Sequence, residues 1–174
     1  MRRSFSHANH ASGKVLLEWH KELQQDKGSR ARLRRAASPD DVIFEPSFHQ
    51  LLAKLRPAFN VDDPRVRRNL AAFAGLAARV REHIENFPLA RQMGTSGARK
   101  SSDSLAVSEQ RFRRLLTTST LEARFTLLAR VIHLLGYRVD LLSLADALCY
   151  WETDPDLRQQ WAYDYYQSAQ SGPS

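Results

Sequence analysis

Residues 64–86 read PRVRRNLAAFAGLAARVREHIEN. Asp63 followed by Pro64 is a helix start signal, because a carboxylate caps the first turn and proline has no N–H to leave unpaired there. From that point Val66, Leu70, Phe73, Leu76, Val80 and Ile84 step by three or four residues, the period of one helical face. The spacing predicts the longest helix of the chain, with Arg67, Arg68, Arg79 and Arg81 off the apolar stripe.

The same period extends in both directions. Upstream, Val15, Trp19 and Leu23 predict a helix over 13–25, which Lys27-Gly28-Ser29 breaks. Ser29 is the expected cap of a short helix over 30–37, with Arg30, Arg32, Arg34 and Arg35 opposite Leu33, Ala36 and Ala37. Ser38-Pro39-Asp40 ends it, and Pro46 opens another helix over 46–55. Residues 88–93 add a short turn. Downstream, Ser108 caps 108–117, and Ser119 with Glu122 forms a capping box for 120–135. Gly136 ends that helix, Asp140 caps a nearly all-apolar helix over 141–151, and Asp154-Pro155 opens the last one. No run alternates with period two. The expected fold is all-α, a two-lobed bundle of about eight helices. Residues 13–93 and 108–167 are the expected lobes, joined by a flexible loop over 94–107 that contains GTSGARKSSDS. Residues 1–12 and 168–174 read as a disordered leader and tail.

Charge is unevenly spread. Residues 140–174 hold six acids and one base, whereas residues 1–139 hold 25 bases and 13 acids. Residues 27–35 (KGSRARLRR) carry five positive charges and no negative one. Most of the bases are arginine, which binds phosphate through a planar fork. Solvated helix faces are the ordinary explanation for one such cluster. Several clusters with few acids among them point to a polyanion. A membrane-surface helix is disfavoured, because these helices need their apolar faces for the core. The helix after Gly136 has no basic residue and does not suit a major-groove reader. Backbone contact with strong salt dependence and little sequence preference is therefore expected. Trp19, Trp151 and Trp161 sit at core spacings, which argues against their stacking on bases. The acidic end is expected to turn away from the polyanion.

Catalytic patterns are weak. Six histidines are scattered, the acids mostly sit at helix starts, and Cys149 lies in the most apolar helix as an inert core thiol. A metal-dependent nuclease would need carboxylates converging on one site. One cysteine excludes an intrachain disulfide. With no signal sequence and no long apolar run, the reading is a soluble cytoplasmic protein without cofactor or enzymatic activity. A protein–protein adaptor whose basic faces meet acidic partners is the competing reading. A small nuclease is a third.

The ordered pieces LLEWHKEL, GSRARLRRAASPDD, LARQMG, VSEQRFRRLL, LARVIHLLG, VDLLSLADALCYWE and RQQWAYDYY resemble the CasB family, the small subunit of the type I-E CRISPR surveillance complex Cascade. The resemblance covers about residues 15–166 and rests on the combination. It implies a non-catalytic helical protein, two copies of which lie beside the backbone subunits that hold the CRISPR RNA. The family's basic surface steadies the hybrid of RNA and target DNA and guides the displaced non-target strand. Its basic positions fall here on Arg34, Arg35, Arg91, Arg111 and Arg130. Charge clustering adds Arg32, Arg99, Lys100, Arg113 and Arg114. These arginines are expected to form one continuous stripe.

Overall fold

The computed structural model describes residues 4–5, 11–95 and 105–171. Ten helices and one two-residue strand pair make up the regular structure of those residues, so the molecule is all-α as expected. In chain order they are α1 (Ala11–Gln25), α2 (Lys27–Arg35), α3 (Pro39–Val42), α4 (Pro46–Leu55), α5 (Pro64–Ala77), β1 (Glu82–His83), α6 (Leu89–Gly94), α7 (Glu109–Leu116), α8 (Leu121–Leu134), β2 (Arg138–Val139), α9 (Leu141–Cys149) and α10 (Pro155–Gln170).

α5 is the axis. Every residue from Leu70 to Ala77 is buried, and α2, α3, α4, α8 and α9 all pack on it. Its alanines and Gly75 allow that crowding, since a side chain at Gly75 would meet Val42 and Phe125. One continuous hydrophobic cluster runs from Phe5 to Tyr165, so the two segments expected as lobes share a core. α6 packs along α10, and the approach is tight at Gly94: a Cβ there would lie 2.3 Å from the Tyr165 carbonyl oxygen. Tyr165 is buried, stacks on Phe112 at 3.9 Å, and donates its hydroxyl to the Val107 carbonyl at 2.7 Å.

Several expected boundaries move, each for a local reason. α5 stops at Ala77 rather than near 86. Beyond it the N–H of Arg81 bonds the Tyr137 carbonyl at 2.8 Å and that of Ile84 bonds Val139 at 3.0 Å. These bonds join β1 to β2 in parallel, with Glu82 opposite Arg138 and His83 opposite Val139. A tertiary pairing thus overrides the helical period. α2 starts at Lys27, because Asp26, not Ser29, is the cap and accepts from the Ser29 N–H and hydroxyl. Thr120, not Ser119, caps α8. Pro39–Val42 forms an extra turn of helix behind Ser38, whose capping box uses Asp41. α10 runs on to Gln170. Ser4 and Phe5, in the expected leader, are anchored: Phe5 is fully buried beside Phe59 and Tyr150, and Asp146 accepts from its N–H at 2.6 Å.

α8 ends in a Schellman motif. The N–H of Tyr137 reaches back to Ile132 and that of Gly136 to His133. Gly136 takes φ 71°, as such a turn requires. Tyr137 follows at φ 65°. That left-handed conformation costs a residue with a Cβ about 1–2 kcal/mol.

Candidate nucleic-acid interface

The first basic cluster forms where α2 lies across the end of α5. Arg30 donates Nε to the Ala78 carbonyl at 3.0 Å, and Arg79 donates back to the Ala36 carbonyl at 2.8 Å. Ala78 and Ala36 are the C-caps of α5 and α2, so each guanidinium sits at the negative end of a helix. The reciprocal bonds hold like charges together. Burial, then the nearby Arg34 and Arg81, lowers the pKa of Arg30; burial and Arg34 lower that of Arg79. No carboxylate pairs with Arg30, Arg34, Arg35, Arg79 or Arg81 among the described residues.

The second cluster lies between α7 and α8. Arg114 and Arg130 line an open groove of about 500 Å³ together with Thr118 and Thr126. Its one acid, Glu122, is held by Arg68. Arg111 shares a helical face with Arg114 three residues on and is exposed.

One aromatic joint connects the clusters. Arg130 and His133 share a face of α8. His133 Nδ1 lies 2.6 Å from the Tyr137 hydroxyl, and the Arg81 guanidinium sits 4.8 Å from the centre of the Tyr137 ring. Arg81 touches Tyr137 and Tyr137 touches His133; Arg34 and Arg81 lie near enough to Arg30 to lower its pKa, and Arg130 sits one turn from His133 on α8.

The expected site residues divide into three groups. Arg34, Arg35, Arg111, Arg114 and Arg130 are exposed and, among the described residues, have no carboxylate partner. Arg32 pairs with Glu45 at 2.9 Å, Arg91 with Asp164 at 3.3 Å, and Arg113 with Glu109 at 2.9 Å. Arg113 also reaches the Tyr166 hydroxyl at 3.2 Å. Arg99 and Lys100 lie outside the described residues. The acidic end does not wholly turn away, because α10 supplies Asp164 and Tyr166 to two of these arginines. Arg30, Arg79 and Arg81 were not singled out from sequence. They lie in the arginine clusters 30–35 and 79–81 that composition shows, and only the fold brings them together.

Trp19, Trp151 and Trp161 are all buried, Trp19 donating to the Ser47 carbonyl at 3.0 Å. Cys149 is half-buried, and burial pushes its thiol pKa up. Among the described residues no group of three His, Cys, Asp or Glu side chains could hold a metal ion, and no helix is long and apolar enough to cross a membrane.

No curated protein matches the chain. A crystal structure of E. coli Cascade bound to a PAM-containing dsDNA target (32-nt spacer) includes a similar chain, 22% identical, with a TM-score of 0.67 over 89% of this chain and 96% of that one. At that identity the likeness extends to the fold. The family model of CRISPR-associated protein Cse2 matches residues 29–166, most of the chain, and the chain belongs to that family, also called CasB.

Proposed function

We propose that this protein is a non-catalytic, nucleic-acid-binding small subunit of a cytoplasmic type I-E Cascade complex, present in two copies. It contacts nucleic-acid backbone through the band from Arg34 to Arg114 and so stabilises the hybrid of CRISPR RNA and target DNA together with the displaced strand. The observation that carries this reading is that Arg34, Arg35, Arg111, Arg114 and Arg130 are exposed and, among the described residues, meet no carboxylate. In such a complex the heteroduplex formed is about as stable as the duplex replaced, so modest backbone contacts tip the balance. Arg34, Arg35, Arg111, Arg114 and Arg130 are the main contacts. Arg32, Arg91 and Arg113 must first exchange a carboxylate for a phosphate and contribute less. Arg99 and Lys100 complete the proposed set of contacts.

Binding of the purified protein to unrelated single- and double-stranded DNA across a salt series tests this. About five arginines predict a log–log salt slope of roughly −3.5 to −4.5, with little sequence preference. Absence of binding at low salt would sink the proposal. A second reading, a protein–protein adaptor, is favoured by Phe44 and Ile43, which stand 85% and 44% exposed between α3 and α4. Charge reversal of Arg34, Arg35 and Arg111 separates the two. The adaptor reading wins if assembly with partner subunits is lost while free-DNA binding survives.

A further inference from the structure

We infer that Arg81 and Tyr137 form a stacking site for one unpaired nucleobase, at the joint between the two arginine clusters. The inference rests on the proposed nucleic-acid role and adds to it a contact that backbone recognition does not need. Four observations converge there. The Arg81 guanidinium is exposed and sits 4.8 Å from the Tyr137 ring centre. His133 fixes the other end of the ring through the hydroxyl and an edge contact, with ring centroids 5.5 Å apart. Tyr137 keeps a left-handed backbone, φ 65°, that glycine or asparagine would adopt more readily. It also lies between Arg81 and His133, which is one turn of α8 from Arg130.

A half-buried tyrosine with a fixed hydroxyl and a guanidinium over its ring offers a π surface of defined orientation. Unpaired bases stack on aromatic rings and on arginine planes alike, and every base has such a face. A strand tracking the band on its phosphates would bring its bases past this point. A duplex keeps its bases stacked inside and cannot use it. The ligand class is single-stranded nucleic acid, with one base inserted at the joint.

The test uses the full chain, fluorescence anisotropy at low salt, a thymidine oligonucleotide and an abasic backbone of equal length. The expected result is that the parent binds the base-bearing strand about five- to a hundred-fold more tightly than the abasic one. Tyr137→Asn, which suits the left-handed backbone, should bring the affinities for the base-bearing and abasic strands to the same value; Tyr137→Phe should retain the difference. Photocross-linking of a bromodeoxyuridine strand should mark the tryptic peptide 131–138, giving a readout that needs no variant. Equal affinity of the parent for both strands, or a preference that survives Tyr137→Asn, overturns the stacking site while leaving backbone binding intact. Failure to bind either strand overturns both proposals.

Discussion

Gly94→Ala puts one methyl group where α6 crosses α10, and the structure sets the cost. The new Cβ would lie 2.3 Å from the Tyr165 carbonyl oxygen and 3.0 Å from Ser168 Cβ. The first contact is with backbone, so no rotamer change relieves it. The helices must part by about 0.7 Å before that contact reaches even 3.0 Å. The displacement pulls on Tyr165, whose ring stacks on Phe112 at an interplanar angle of 7° and whose hydroxyl holds Val107. Overpacking of this kind costs about 1–3 kcal/mol. Alanine's better helix propensity returns little, because Gly94 is the last residue of α6. At this chain length each kcal/mol moves the midpoint by about 2–4 °C, so Tm should fall by roughly 3–10 °C. Circular dichroism melts at 222 nm measure it. Gly28→Ala is the control: in α2 a Cβ would meet only Arg32 and Asp26, at 3.5 and 3.6 Å, and stability should hold or rise. A Gly94→Ala protein as stable as its parent would refute the close-packing argument.

Two further predictions concern buried charge. Burial lowers the pKa of His20, whose Nε2 donates to the Val80 carbonyl at 3.0 Å. The unfolded chain therefore takes the proton first, and the stability His20 contributes is present above about pH 6.5 and drains away below it. His20→Gln should flatten the fall in urea midpoint between about pH 7.5 and 5.5; an unchanged slope would count against that assignment. Arg124 is fully buried, donates to Glu152 at 2.9 Å, and has Nε and Nη1 without partners in the protein. Arg124→Met should be neutral or stabilising, because the desolvation penalty goes with the charge. Glu152→Ala should cost about 1–2 kcal/mol, reduced by the exposure of Glu152 and read in the same melts.

Much of the fold was legible because its signals are local. Asp63, Asp140 and Asp154 cap the helices they precede, since a carboxylate and the first free N–H groups lie within three residues of each other. Signals that depend on distant partners were not. Nothing near Ala77 in sequence stops α5; the carbonyls of Tyr137 and Val139 do. Phe5 reads as one apolar residue in a polar leader until Asp146 and Phe59 are brought beside it. The candidate site divides the same way. The arginine clusters are visible as composition. That Arg32 meets Glu45 while Arg34 meets no carboxylate depends on the turn between α3 and α4, and that Arg81 faces Tyr137 depends on a strand pairing too short to leave a period.

That pairing has a mechanical consequence. β1 and β2 are two residues each, yet their register puts Arg81 and Tyr137 side by side, one residue before each strand. The pair works as a ruler. It ties the end of α5, against which α2 lies, to the end of α8. A slip of one residue would turn the ring and guanidinium to opposite sides. Two residue pairs thus set where the chain leaving α5 and the chain leaving α8 stand relative to each other, a constraint far larger than the element that imposes it.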